Sequence, residues 1–379
     1  MPTRVVTTLP TSPRKLPALG FFLLPYLSHL LGRLQDLRVI GPVNLLGARK
    51  YGASEADAFE TALSHLAIVP DTQWRDSDLA WNSILPVVVT EGLNQGWIRR
   101  DVVSVFVCPC GKTEFLNKPS NLVSGNFNRK VYEINDGVPS CLLCKATAVA
   151  RHQDALLLVL PRHIPTVSLV PRYAAETWAD LIANLSGREI PVSRMRETGL
   201  SVTVAGTRFN VDVDVASMLH PYLLREQGME IETLVSGNRT LKHTFMATVV
   251  SNLLGVPYPK TIVSAPYLTV DFGNREPLNA RNIIEQYGAP VARSLLLSGL
   301  GSTRKEVIVP SRTIHLVQHS IRVQPESLKV ISPQNVSARD LWRDFSGQMF
   351  QNALSCLRRG HPEELPTLSK QVLSIALFP

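Results

Sequence analysis

Four of the five cysteines fall in two close pairs, Cys108-Pro109-Cys110-Gly111 and Cys141-Leu142-Leu143-Cys144, about 30 residues apart. Each short turn can present two thiolates to one ion, and a tetrahedral zinc takes four such ligands. The single residue between Cys108 and Cys110 tightens the first turn without preventing this. Four thiolates leave no position open for water, so the spacing predicts a structural zinc rather than a catalytic one. Four buried free thiols, or a redox pair, are the alternative readings of the same pattern. Cys356 stands alone and reads as a core residue.

Other chemistry-bearing residues are more scattered. His29, His65, His152, His163 and His220 lie far apart and read as packing or surface residues. His243 differs, because it follows a candidate strand end near Arg239. Asp212 and Asp214 alternate with valines in a β-like run, which predicts one polar strand face. The phosphate-binding patterns G-x-x-x-x-G-K-S/T and G-x-G-x-x-G are both absent from the sequence.

Which elements must position these residues follows from patterning. Val5 to Leu9 reads as a strand, Gly20 to Leu34 as a helix and Arg38 to Leu46 as a second strand. Glu55 to Leu66 reads as an amphipathic helix with Ser54 as its N-cap. That alternation predicts an α/β fold with a doubly wound parallel sheet, which binds ligands outside the carboxyl ends of its strands. Farther on, Thr244–Leu254, Ile283–Ser298, Ser337–Arg359 and Leu368–Leu377 read as helices, and Thr261–Val270 as a strand. The chain accordingly divides at 1–102 and 161–310 into two halves of a Rossmann-like core. The cysteine insertion falls at 103–160, and a short helical tail at 311–379 packs back on the core.

Composition sets wider limits. The chain has 379 residues, of which 45% are hydrophobic and 18% charged, enough apolar material for a large core. Wholesale disorder, collagen and a coiled-coil rod are excluded. Odd, sparse cysteine usage favours reduced thiols and a cytoplasmic protein. No apolar run is long enough to span a membrane, since Pro25, Tyr26, Ser28 and His29 interrupt Leu16–Leu31. The net charge of +8 allows an anionic ligand but is weak for an RNA-binding surface.

In this order of elements the chain, over residues 4 to 310, resembles the catalytic domain of class I aminoacyl-tRNA synthetases, most closely the methionyl type. Thr7-Thr8-Leu9-Pro10 and then Ala18-Leu19-Gly20-Phe21 are similar to the first strand end and the HIGH signature of that family. Leu46-Gly47-Ala48-Arg49-Lys50-Tyr51-Gly52 resembles its TGTDEHG turn. The cysteine region stands where the family inserts a zinc-knuckle connective peptide, and Pro191-Val192-Ser193-Arg194 looks like a further family element. Ser236-Gly237-Asn238-Arg239, with His243 close behind, resembles the G-K-D…F-H strand end. Gly273-Asn274-Arg275-Glu276-Pro277-Leu278-Asn279 sits where the KMSKS loop is expected, before a helix with Tyr287-Gly288 and Arg293. The resemblance implies a ligand site built from Thr8, Leu9, Gly20, Gly47, Arg49, Gly52, Gly237, Arg239, His243 and Arg275.

The departures carry as much weight. The family's two HIGH histidines contact ATP phosphates; here Ala18 and Phe21 stand in their places, and neither can donate a hydrogen bond. Leu278 replaces the second KMSKS lysine, and Pro277 stiffens that loop. Arg275 retains a positive charge at the first lysine. Arg49 and Arg239 correspond to family aspartates, which reverses charge at two points. A guanidinium grips a carboxylate or phosphate but repels an ammonium group. Either the two arginines are solvated in a dead pocket, or the pocket has been rebuilt for an amino-acid-like or anionic small molecule.

Three functional readings follow. The resemblance implies first a synthetase-like enzyme repurposed for amino-acid activation or ligation outside translation. Methionyl-synthetase-like domains of that kind occur in natural-product pathways, including hydrazine-forming synthetases. The second reading is a non-catalytic pseudo-synthetase that binds a metabolite or partner protein, and the third a divergent aminoacyl-tRNA synthetase. ATP stays a candidate ligand beside structural zinc. For tRNA nothing in the tail speaks: its bases, Arg304, Lys305, Arg312, Arg322 and Arg339 among them, are interleaved with acids and read as solvated faces. Catalysis and oligomeric state are left open by the sequence.

Overall fold

A computed structural model describes residues 2–10, 17–43, 53–75, 79–110, 113–115, 132–194, 200–211, 213–271, 279–323, 328 and 336–377. The chain first lays down strands β1 (Thr3–Thr8), β2 (Arg38–Val43) and β3 (Thr72–Arg75). A first excursion contributes β4 (Ile98–Val107), β5 (Thr113–Phe115), β6 (Tyr132–Asn135), β7 (Val138–Cys141) and β8 (Val149–Val159), after which β9 (Ser168–Val170) follows. A second excursion holds β10 (Glu189–Pro191), β11 (Ser193–Arg194), β12 (Leu200–Val204) and β13 (Thr207–Val211). Then come β14 (Met229–Gly237), β15 (Thr261–Ala265), β16 (Tyr267–Asp271) and β17 (Glu306–Pro310).

Six strands form one sheet in the order β3-β2-β1-β14-β15-β9, and every neighbouring pair is parallel. A parallel sheet is covered on both faces, so its strands need apolar residues at successive positions. Val5 and Val6, Leu234 and Val235, and Ile262 and Val263 supply them, one of each pair to each face. Helix Leu23–Gln35 packs with the tail helices Gly347–Arg359 and Thr367–Leu377 on one side. Helices Arg172–Leu185 and Leu241–Leu253 cover the other. The doubly wound parallel architecture is therefore the observed one, and the tail does pack on the core.

The long predicted elements are divided where the chain cannot continue them. The strand expected over Thr261–Val270 is two strands, split at Pro266, which has no N–H for a ladder. Ile283–Ser298 becomes helices Ala280–Tyr287 and Ala289–Leu296, broken at Gly288 with φ 86°. Ser337–Arg359 is likewise two helices, Ala338–Asp344 and Gly347–Arg359, each with its own serine N-cap, Ser337 and Ser346. Ser54, expected as an N-cap, lies inside the helix Ala53–His65 and donates to the Glu55 carboxylate. The β-like run around Asp212 and Asp214 ends at Val211; Asp212 lies outside the described residues, and Asp214 belongs to helix Val213–Glu226. The two aspartates therefore do not share a strand face. Among the described residues no helix is long and apolar enough to cross a membrane.

Arg293 joins the tail to the core. Its fully buried guanidinium donates to the carbonyls of Ala376 at 2.6 Å and Leu66 at 2.8 Å. The carbonyl end of helix Thr367–Leu377 carries partial negative charge, which stabilises a cation there without a carboxylate.

Candidate functional site

Among the described residues, two places gather the side chains that the sequence singled out. In the first, β4 ends at Val107 and delivers Cys108-Pro109-Cys110, while β7 ends at Cys141 and turns at once through Leu142 and Leu143 to Cys144. That second turn is closed by hydrogen bonds from Lys145 N to Cys141 O and from Cys141 N to Ala146 O. All four sulfurs lie within 4.8 Å of one another, with Cys108–Cys144 at 3.2 Å, Cys108–Cys110 at 3.3 Å and Cys110–Cys141 at 3.7 Å. Sulfurs placed tetrahedrally about an ion at ~2.3 Å stand about 3.8 Å apart, so the cluster is near the size one metal requires. Burial pushes the Cys108 thiol up to about 12. Burial opposes ionisation of Cys141 too, but the backbone N–H groups of Cys144 and Leu143 and the neighbouring thiols outweigh it and bring that pKa down to about 7. The apolar support is slight, consisting of Cys108, Tyr132, Cys141 and Ala148 with Phe106 edge-on to Tyr132. The predicted quartet is thus assembled and could hold a metal. Cys356, expected in the core, is only partly buried and lies 3.4 Å from the Arg359 guanidinium.

The second place is the carboxyl edge of the parallel sheet. Strand order reverses between β1 and β14, which opens a crevice beyond Thr8 and Gly237. Thr8 and Leu9 are buried there. Thr7 faces the opposite side, its hydroxyl 3.0 Å from the Ile40 carbonyl and 3.0 Å from His220 Nε2. Burial drops the His220 pKa to about 3, so that histidine is a neutral packing residue, as the sequence suggested. His29 is likewise buried and lowered to about 4, by burial first and by Arg33 second.

Gly20 is the second residue of the short turn Leu19–Phe22 ahead of helix Leu23–Gln35. A Cβ on Gly20 would lie 1.8 Å from the Leu268 carbonyl oxygen, so only glycine lets β16 seat against this turn. Ala18 pairs with Asn279 across an isolated bridge, and Ala280 N donates to Pro17 O at 2.9 Å. Backbone contacts thereby join the flanks of the two signature-like segments. Phe21 is edge-on to Phe59 at 5.8 Å, and Phe22 stacks on Phe59 at 5.3 Å, so an aromatic cluster stands where the resemblance implies phosphate donors.

Gly237 ends β14, and its N–H donates to Thr240 Oγ1 at 3.0 Å. Ser236, Thr240 and Thr244 share a chain of hydroxyl contacts, 3.3 Å and 2.8 Å long, beneath this turn. The Arg239 guanidinium is exposed and sits over the Tyr267 ring, 4.1 Å from its centroid. His243, half-buried, is in the first turn of helix Leu241–Leu253. Thr8, Leu9, Gly20, Gly237, Arg239 and His243 are thus all on the carboxyl side of the sheet, whereas Gly47, Arg49, Gly52 and Arg275 lie outside the described residues. Lys305 was missed: its carbonyl accepts from Tyr267 N at 2.9 Å and from the Asn238 side-chain amide. A small apolar cavity of about 20 Å³ lined by Thr8, Ser28, Phe59 and Gln73 holds little more than one water and is too small for an amino acid.

The chain has a fold like that of methionyl-tRNA synthetase. Solved structures of methionyl-tRNA synthetase from Mycobacterium tuberculosis share this fold. One bound by methionyl-adenylate superposes with a TM-score of 0.63 at 14% identity, covering 100% of this chain and 81% of that one. The apo form gives 0.61 at 14% identity, covering 100% of this chain and 79% of that chain. No protein-family model matches the sequence, and no curated protein does.

Proposed function

We propose that the protein is a methionyl-tRNA synthetase-like enzyme turned to amino-acid activation or ligation outside translation, with the four cysteines holding a structural zinc. The observation that carries this reading is Arg239. At the strand end where the resemblance implies an aspartate, it is held on Tyr267 at the carboxyl edge of the sheet. The similar structure with methionyl-adenylate supports an amino-acid-like ligand. The altered signature residues Ala18, Phe21 and Leu278 speak against ordinary tRNA charging. Soft thiolates at these separations suit zinc, which would fix the two turns and supply no chemistry to the reaction.

The test is pyrophosphate release from ATP with a panel of amino acids and amino-acid pairs. Release that depends on a particular amino acid is expected. Silence across the whole panel would replace this reading with the pseudo-synthetase one, which the tight seating of Gly20 on Leu268 favours. Charging of total tRNA, expected to be absent, addresses the divergent-synthetase reading.

A further inference from the structure

We infer that Arg239, Arg304 and Lys305, carried on two backbone segments that meet at Tyr267, grip the phosphate of a small phosphorylated ligand. The inference rests on the carboxyl edge being the ligand site of the function proposed above and names the class of ligand it takes. Parallel pairing of β16 with β17 brings Lys305 to Tyr267, and the Asn238 amide ties the same carbonyl to the turn carrying Arg239. All three cations are exposed, and among the described residues none has a carboxylate at ion-pair distance. Glu306, the adjoining acid, is exposed and unpaired as well, so these four described residues carry an excess of two positive charges.

Stacking on Tyr267 restrains the Arg239 guanidinium while leaving its N–H edge open, the arrangement that suits a bidentate oxyanion. Helix Leu241–Leu253 starts two residues after Arg239, beyond its N-cap Thr240, with no acid in its first turn and no side-chain cap, so its positive end adds to the field. A phosphate dianion matches this excess, whereas a monocarboxylate leaves half of it unmet. Tyr267 also directly precedes Leu268, whose carbonyl rests on Gly20. The cations therefore adjoin the turn where Ala18 and Phe21 offer no donors, and they supply a phosphate grip from the neighbouring strand ends.

Calorimetry on the full chain at low ionic strength, with inorganic phosphate, AMP, adenosine and acetate as titrants, tests this. Phosphate and AMP are expected to bind, and adenosine and acetate to be much weaker. AMP binding tighter than phosphate would identify a nucleotide as the source, and equal affinities a simple phosphate; both support the site. Arg239→Gln and Lys305→Gln should each weaken phosphate roughly three- to tenfold. Arg38→Gln, at the amino edge of β2, should leave it unchanged. Equal phosphate affinity in the wild type and in the Arg239→Gln/Lys305→Gln double variant would overturn the inference, as would no phosphate binding or acetate binding as tightly. Phosphate binding without amino-acid-dependent pyrophosphate release sinks the ligation reading but keeps this site. Release that is unaffected by the double variant does the reverse.

Discussion

The cysteine module and the carboxyl-edge crevice carry their chemistry in opposite ways. In the module the donors are intact and little else is: four sulfurs converge over a miniature core. At the crevice the parallel sheet is in place and the expected donors are changed, with Ala18 and Phe21 at the signature-like turn and Arg239 at the strand end. A metal site made of four side chains on two turns needs no deep core, because the ion supplies the cross-link. A small-molecule site needs the whole sheet to hold its loops, so it can keep its shape while its reacting groups are replaced.

That contrast can be broken first at the module. Cys141→Ser should abolish stoichiometric metal, measured by elemental analysis, and unfold the β6–β7 hairpin locally. Its exchange-protected amides should be lost while the parallel sheet keeps its own. Metal retained at one equivalent by the variant would remove the proposed zinc role. Next in size is Gly20→Ala, which forces a Cβ into the Leu268 carbonyl and should cost about 3 kcal/mol in a denaturant melt. An unchanged midpoint would mean that β16 does not seat there.

Arg293→Met should cost roughly 2–4 kcal/mol, because three carbonyls lose their donor, and the loss should fall on tail-helix protection first. The effect confined to acid pH comes last. His29 and His220 have folded pKa values lowered to about 4 and about 3, below the ordinary 6.5. The unfolded chain therefore binds more protons than the folded one between those values. Their contribution is full above about pH 6.5 and is lost as pH falls toward about 4 for His29 and about 3 for His220. A flat stability profile from pH 7 to 4.5 in the variant His29→Gln/His220→Gln, against a falling one in the wild type, is the expected result.

Much of the fold was legible in the residues. Successive apolar positions in Val5-Val6 and Leu234-Val235 mark strands buried on both faces, and the paired cysteines announce a four-thiolate cluster before any coordinates. Such signals are local, since periodicity and short spacing survive in one dimension. Element breaks were less legible: Pro266 and Gly288 each end an element in the middle of a continuous apolar pattern, and hydrophobic periodicity does not register a missing N–H or a positive φ.

The sequence by itself determined the class of fold, the four sulfurs and the absence of side-chain donors at Ala18 and Phe21, because each depends on residue type at fixed spacing. Only the tertiary structure decided that Lys305, read as part of a solvated tail, stands beside Arg239, 66 residues earlier in the chain. It also decided that Arg239 rests on Tyr267 and that Gly20 lies under the Leu268 carbonyl. The physical reason is parallel pairing: β16 and β17 meet through a crossover, and the register of such a pair is set by packing on both faces rather than by anything written between them.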